Sequence, residues 1–338
     1  MNKNKIYDCF TFYNELDLLE IRLNTLNDIV DKFILVEMNK THAGNDKEFI
    51  FENNKQRFSK FLDKIIHIKI ENPPELLEKY KNERNLNWFF ENYQRNAIDK
   101  GLINCKDDDT IMISDLDEIP NPKKVLEVKD LPNIKALDMI VFNFSLNNLS
   151  YAQPWVHGTK VMSYKDYLHI LDDIEYEHNA VLKDINSGTT ASKIRLYYGN
   201  KQLHMKNAGW HFSYIGNEEH VINKCKSIVE GVAENSSDEK IIKIYNSKKF
   251  LEWDLIPVII DDSFPEYLIN NQDKYAHLII KNAKNNATNE IEKSLEIIYN
   301  DKFKLFKKVK DLHTGRRRIY FCGVKIASYK KSNNKGND

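Results

Sequence analysis

No apolar run in this 338-residue chain is long enough to span a bilayer, and Met1 to Lys5 are polar and lead straight into a strand-like segment. Neither a signal peptide nor a membrane anchor is expected, so any membrane association would be peripheral. Net charge is also missing. Fifty basic side chains balance fifty acidic ones, which removes the global electrostatic argument for nucleic-acid binding. Cysteine is scarce: Cys9, Cys105, Cys225 and Cys322 are widely scattered, with no CxxC and no Cys/His spacing of a zinc site. Isolated thiols fit a reducing compartment, and the expected location is the cytoplasm. Internal repeats and low-complexity segments are absent as well. What remains is a globular composition, 41% hydrophobic and 30% charged, enough for one large domain or two smaller ones. The charge is unevenly spread, because Lys302–Lys331 holds 11 Lys/Arg against the single acid Asp311. Such a tail suits the inner face of an anionic membrane or an acidic partner, or simply balances an acidic body.

The most informative segment is Ser114-Asp115-Leu116-Asp117-Glu118-Ile119-Pro120. It follows the apolar run Thr110-Ile111-Met112-Ile113, itself preceded by the turn-like Lys106-Asp107-Asp108-Asp109. The pattern predicts a buried strand that ends by placing acids at its mouth. In open α/β sheets, ligands bind at the carboxyl ends of strands. Asp115 and Asp117 alternate along an extended chain, so Leu116 can point to the core while both carboxylates face one site. Two hard oxygen ligands suit Mn²⁺ or Mg²⁺ and leave positions for a diphosphate, whose charge on departure the metal neutralises. Asp117 is expected to bind metal directly. Asp115 would act through water or bind a ribose. A solvated acidic turn is the plainer alternative. Glu118 completes the acidic set or caps the turn before Pro120.

The first half alternates strand-like and helix-like segments. Ile6–Phe12 reads as a strand, Leu16–Ile29 as a helix with apolar residues at helical spacing, and Phe33–Val36 as a short buried strand. Gln56–Leu62 reads as helix, Ile65–Ile70 as strand, and Trp88–Lys100 as a helix stopped by Gly101. This order predicts a mostly parallel sheet covered on both faces. After Pro122 the pattern changes. Ala136–Leu146 looks like one long strand, Leu149–Met162 is aromatic and irregular, and Ile194–Tyr198 with Leu203–Met205 suggests a hairpin around Gly199-Asn200. Glu218–Val229 reads as helix, Pro257–Ile260 as a short strand, and Tyr320–Tyr329 as a terminal hairpin turning near Gly323.

Four segments, in order, resemble glycosyltransferase family 17: Tyr7–Leu23, Ile34–Gly44, Asn92–Ile98 leading to Ser114–Pro120, and Gly209-Trp210-His211-Phe212-Ser213. The resemblance covers roughly Ile6 to Ser213. It implies an α/β, Rossmann-like nucleotide-sugar transferase fold of the A type, with a mostly parallel sheet and a C-terminal elaboration. The implied domain spans 1–260, with a nucleotide-sugar half at about 1–122 and an acceptor half at about 123–260. Residues 261–338 would be an extension with the basic tail. The implied chemistry is inverting, with a divalent metal, a UDP-sugar donor (UDP-N-acetylglucosamine by family) and a glycan acceptor. The last segment, Arg316–Lys331, resembles the tails of bacterial surface-polysaccharide transferases, which implies a lipid-linked or lipopolysaccharide acceptor.

The same resemblance suggests roles. Asn14 and Glu15 follow the first strand, where this fold binds nucleobase and ribose, although Glu15 also suits a helix start. Glu37 follows the second strand and serves nucleotide contact or turn structure. Arg95 would pair with the diphosphate or with Asp115, or form an ordinary surface salt bridge. His211 is a late metal ligand beside Asp115 and Asp117, or a buried structural histidine. Trp210 stacks on a sugar or fills the core. Trp155, His157 and Lys160 suit sugar binding or a packed loop. An inverting transfer also needs a general base, for which Glu118, Asp172, Asp173 and Asp262 are candidates and Asp117 the neighbouring metal-binding acid. Two other readings of the acidic pair remain: a metal-dependent phosphohydrolase and a non-catalytic sugar-binding module.

Overall fold

The computed structural model describes residues 4–73, 83–151, 154–169, 191–195, 202–227, 237–250, 253–302, 306–310, 316–321 and 324–330. Residues 1–287 form one compact unit and 288–338 a second.

In chain order the strands of the first unit are β1 (Ile6–Phe12), β2 (Lys32–Met38), β3 (Ile65–Ile70), β4 (Thr110–Asp115), β5 (Glu118–Pro120), β6 (Lys135–Leu137) and β7 (Ile140–Asn143). They continue as β8 (Asn148–Ser150), β9 (Lys160–Ser163), β10 (Leu203–Met205), β11 (Gly209–Ser213), β12 (Lys249–Phe250), β13 (Trp253–Ile259) and β14 (Asn285–Asn286). The first sheet has the order β10-β6-β9-β4-β1-β2-β3. Its strands run parallel except β9, which is antiparallel to both β4 and β6. The fold is therefore α/β with a mostly parallel sheet, and the stretch β3-β2-β1-β4 has the Rossmann-like order.

The local reasons are visible in the sequence. β1, β2 and β4 are almost continuously apolar, as strands covered on both faces must be. Tyr7 and Cys9 of β1 join Ile34, Val36, Ile111 and Ile113 in a cluster with Phe89, Phe90 and Ile98 from the helix Glu83–Asn96 and the turn after it. Alternate residues of β1, Asp8 and Phe10, meet the helix Leu16–Leu26 on the other face, where Arg22 lies over the Phe10 ring at 4.6 Å. That helix ends three residues before Ile29, the limit expected from its apolar spacing, because Ile29 and Val30 donate back to Leu26 in a closing turn.

The second sheet has the order β12-β13-β8-β7-β11-β5, and the pairings of the two sheets overturn two sequence expectations. Ala136–Leu146 is not one strand. It divides into β6 in the first sheet and β7 in the second, and between them Met139 pairs with Trp155. The expected hairpin before Leu203–Met205 does not form either. Ile194 lies in the short helix Ala191–Arg195, and β10 pairs with β6 in parallel. Gly199-Asn200 lies outside the described residues. The core of this sheet is aromatic, with Phe142 against Phe212 and Phe264 at 5.4 and 5.0 Å between ring centres.

The second unit contains a three-stranded antiparallel sheet, β15 (Phe306–Lys310), β16 (Arg316–Phe321) and β17 (Val324–Lys330). The pairing of β16 with β17 is the hairpin expected near Gly323, a residue outside those described. No described helix is long and apolar enough to cross a membrane.

Candidate active site

The site grows from a buried ion pair. Asp8 on β1 and Arg22 on the helix Leu16–Leu26 are both fully buried, and Arg22 donates to the two Asp8 oxygens at 2.8 and 2.6 Å. The same guanidinium donates to Ser114 Oγ at 2.6 Å and to the carbonyls of Asp115, Leu116 and Glu118 at 3.0, 3.1 and 2.8 Å. A sharp turn leaves buried carbonyls that need donors, and one planar five-donor group satisfies three of them here. Arg22 thereby fixes the path of the acidic turn at the mouth of β4. Sequence reasoning missed this pair, though a signal existed. Asp8 interrupts an apolar strand, and Arg22 interrupts the buried stripe of Leu18, Leu19, Ile21, Leu23 and Leu26.

The acidic turn separates its carboxylates. Asp115 accepts from Arg95 at 2.7 Å and from Arg195 at 3.0 Å. Desolvation would raise its pKa, but the two guanidinium groups outweigh it and hold the carboxyl well below the usual carboxylate range. Glu118 is fully buried. One of its oxygens accepts from Trp155 Nε1 and Arg195, and the other accepts from the Asp115 backbone N–H at 3.1 Å, capping the turn. Arg195 also lies over the Trp155 ring at 5.8 Å, and its Nη1 is buried without a hydrogen-bond partner. No sequence signal pointed to Arg195, which approaches from the second half of the chain.

Asp117 faces another way. Its Oδ2 accepts from Lys224 Nζ at 2.8 Å, and Lys224 also contacts Glu15 Oε1 at 3.1 Å. Burial opposes the charge on both partners. The Asp117 carboxyl is nevertheless lowered by Lys224 and His211, and the Lys224 ammonium is raised by Asp117 and Glu15. Lys224 was also missed. Its mark in the sequence is a lysine three residues after Val221 on the buried face of the helix Glu218–Ser227.

The second sheet brings His211 to this turn. β5 pairs with β11 so that Glu118 lies opposite His211 and Ile119 opposite Trp210, and the Phe212 N–H donates to the Asp117 carbonyl at 2.8 Å. His211 Nε2 stands 3.7 Å from Asp117 Oδ1, too far for a hydrogen bond, and its Nδ1 is buried without a partner. Gly209 begins the strand because a Cβ there would lie 2.5 Å from the Ile119 carbonyl oxygen. The sequence Gly-Trp-His thus belongs to the close pairing that places the imidazole.

A profile of glycosyltransferase family 17 matches residues 1–230. That span reaches from β1 through the acidic turn and His211 to Lys224. The chain belongs to glycosyltransferase family 17. Among named relatives of this family member is the beta-1,4-mannosyl-glycoprotein 4-beta-N-acetylglucosaminyltransferase of Rattus norvegicus, 27% identical over 131 residues. That match covers 37% of this chain and 23% of the rat enzyme. The Homo sapiens enzyme of the same name is 27% identical over 131 residues, covering 37% of this chain and 24% of its own length. The chain therefore spans about a quarter of the length of the curated relatives it matches. A solved structure of an inositol-1-phosphate CTP transferase from T. maritima aligns with 70% of this chain and 99% of its own, at 13% identity and a TM-score of 0.30. A likeness that loose carries no argument about this site.

Around this family member's acidic turn, the structure gathers Glu15, Arg95, Asp115, Asp117, Glu118, Trp155 and His211. Trp155 stacks obliquely between two imidazoles, 5.0 Å from His211 and 4.9 Å from His157. Burial, with Arg195 and Lys160 nearby, pushes the His157 imidazole down to about 3. Burial and Arg195 lower the Lys160 ammonium to about 8, despite Glu118 and Asp138. Asn14 follows β1 with its Oδ1 buried and unpartnered. Asn39 has the same property, and the register that sets Phe12 beside Glu37 carries Asn14 and Asn39 forward in step.

Other expected residues lie elsewhere. Glu37 is fully buried, and its carboxylate accepts from the Phe51 N–H at 3.1 Å and from Lys47 at 3.4 Å while facing His67 at 3.1 Å. It holds the loop beyond β2. Trp210 points away from its neighbour His211, as alternate strand residues must, and donates to the Ser263 carbonyl at 2.8 Å. Asp262 is exposed in the loop after β13, and Asp172 and Asp173 lie outside the described residues.

As a metal site, the arrangement offers one carboxylate oxygen, Asp117 Oδ1, beside one imidazole nitrogen, His211 Nε2. That mixed set suits Mn²⁺ or Mg²⁺, with phosphate oxygens and water completing the shell. Among the described residues, no three His, Cys, Asp or Glu side chains form a ready-made cage.

Proposed function

We propose that this chain is a metal-dependent, inverting glycosyltransferase that moves N-acetylglucosamine from UDP-N-acetylglucosamine onto a glycan or glycolipid acceptor. Family membership supports the class, and the names of the rat and human relatives support the sugar. The observation that carries the reading is the acidic turn at the mouth of β4, with Asp117 beside His211 and Asp115 under two guanidinium groups.

Asp117 and His211 would hold the divalent cation, which when bound neutralises charge on the departing diphosphate. Asp115, whose side chain is 35% exposed, would reach the ribose or a metal-bound water. Asn14 and Asn39 would accept hydrogen bonds from the nucleoside. Arg95 and Arg195 would face the charge that develops as the diphosphate leaves, and Trp155, packed between His157 and His211, would hold both imidazoles beside the sugar. The acceptor hydroxyl attacks the anomeric carbon as the bond to the diphosphate breaks, and a carboxylate takes the hydroxyl proton. Glu118, with donors on both oxygens, serves this step by holding Arg195 and Trp155 in place. The protein would work in the cytoplasm, with Lys302–Lys331 against an anionic membrane face. Failure of anionic liposomes to retain it at low salt would rule that contact out.

The test is donor turnover. Purified protein with Mn²⁺ and a panel of nucleotide sugars should release UDP slowly from UDP-N-acetylglucosamine, and EDTA should abolish the release. Silence across the panel, with no UDP binding by calorimetry, would overturn the reading.

A further inference from the structure

We infer that Lys224 is a resident cation of the acidic centre, which holds divalent metal off until a diphosphate arrives and so makes the two bind together. The inference rests on the donor and metal roles proposed above. Its observation is independent of them: a single buried ammonium joins two carboxylates from different parts of the chain, Glu15 at 3.1 Å and Asp117 at 2.8 Å. Lys224 keeps 9% of its side chain exposed, and Glu15 and Asp117 keep 9% and 11%. Buried carboxylates this close need a cation, and here the helix Glu218–Ser227 supplies it.

The remaining acids around this point are likewise held by cations of the chain. Arg195 pairs with Asp115 and Glu118, and Arg95 pairs with Asp115 and Glu91, so with Lys224 three cations already hold five carboxylates. A metal at Asp117 Oδ1 and His211 Nε2 would share the Asp117 carboxylate with Lys224, placing like charges on its two oxygens. A metal alone changes the local charge by about two units, and a diphosphate alone changes it by about two in the opposite sense. Together they leave it as it was. A bare cation must therefore crowd Lys224 at Asp117, whereas a diphosphate gives both the metal and Lys224 a new partner. By linkage, each ligand raises the affinity of the other by the same factor.

The experiment is Mn²⁺ titration of the full chain, followed by electron paramagnetic resonance with and without UDP, for wild type, Lys224→Gln and Lys224→Arg. Wild type should bind Mn²⁺ alone weakly, and UDP should tighten it by about tenfold or more. Lys224→Gln should bind Mn²⁺ alone about tenfold more tightly, with a smaller gain from UDP, while Lys224→Arg keeps the wild-type pattern. Mn²⁺ binding by folded Lys224→Gln that is no tighter than wild type would overturn the inference. Should Lys224→Gln not fold, Glu15→Gln answers the same question. With one carboxylate fewer, Mn²⁺ alone should bind more weakly than in wild type, and unchanged or tighter binding would overturn the inference. UDP without effect in any variant would overturn the coupling together with the donor reading, whereas tight Mn²⁺ binding that UDP strengthens equally in wild type and Lys224→Gln would overturn the role of Lys224 and leave the donor reading standing.

Discussion

The two sheets of the first unit contribute to one site in different ways. β1 and β2 are seven-residue strands and β4 has six, all paired in parallel and buried on both faces. Apart from the seven-residue β13, the second sheet is built from strands of two to five residues, and left-handed backbone follows β7 and β11 at Phe144 (φ 67°), Tyr214 (φ 56°) and Gly216 (φ 148°). Phe144 and Tyr214 carry side chains into conformations that cost about 1–3 kcal/mol each. Their rings are held by Tyr245 and Phe250 at 5.2 to 5.8 Å. The regular sheet makes the frame and the acidic turn. The irregular sheet and the helix after it aim His211 and Lys224 at that turn. Regularity is enough to build a platform, whereas bringing a nitrogen to a given oxygen has used bends, a glycine contact and aromatic packing.

Substitutions can break this contrast at graded cost. Arg22→Leu should cost the most, about 3–5 kcal/mol, because it strands the Asp8 carboxylate in the core and frees the turn carbonyls. Denaturant unfolding measures it, and adding Asp8→Asn should recover stability without recovering turnover. Asp117→Asn should lower donor turnover about 100- to 1,000-fold while the chain still unfolds in one cooperative transition. Turnover within tenfold of wild type would remove Asp117 from the proposed machinery. Gly209→Ala should push β11 from β5 at about 1–3 kcal/mol, and turnover should fall with it because His211 rides on that strand.

The pH response separates the regions further. The His157 pKa is lower in the folded chain, about 3, than its ordinary 6.5. Below pH 6.5 the unfolded chain takes up a proton that the folded one refuses, so stability falls as pH falls, by at most about 1.4 kcal/mol per pH unit. His157→Gln should flatten the stability profile between pH 6.5 and 4, and an unchanged slope would assign the acid response to other groups. The smallest effect expected is from Trp210→Phe. It should cost about 1 kcal/mol for the lost bond to Ser263 and leave turnover unchanged, in contrast to His211→Ala, which should abolish metal-stimulated turnover.

The sequence made the frame legible and the convergence much less so. Ile65–Ile70 coincides with its expected strand, and Thr110–Asp115 extends the expected Thr110–Ser114 by a residue, because a short apolar run bounded by turn residues is a local signal. The division of Ala136–Leu146 between two sheets left no local mark. Both pieces are apolar, and only their partners distinguish them. The acids at 115, 117 and 118 stand out by spacing, but their differing fates do not. Arg95, Arg195 and Lys224 select among those acids from positions 20 to 107 residues away. Trp210 and His211 show the same limit within one dipeptide. Alternation says that they face opposite ways, and the pairing of β11 with β5 says which one faces the acids.

That pairing also bears on how the polypeptide can be divided. β5 hangs on β11 at the margin of the second sheet, and β7 lies on the other side of β11. A fragment ending before Gly209 would keep every acid of the turn yet leave β5 unpaired and one margin of β7 open to other chains. Unpaired strand margins invite intermolecular pairing. Such a fragment should aggregate rather than persist as a soluble donor-binding half, and supplying 202–338 as a separate piece during refolding should suppress the aggregation. The two halves of this molecule can be described apart, but they share a seam that neither can close alone.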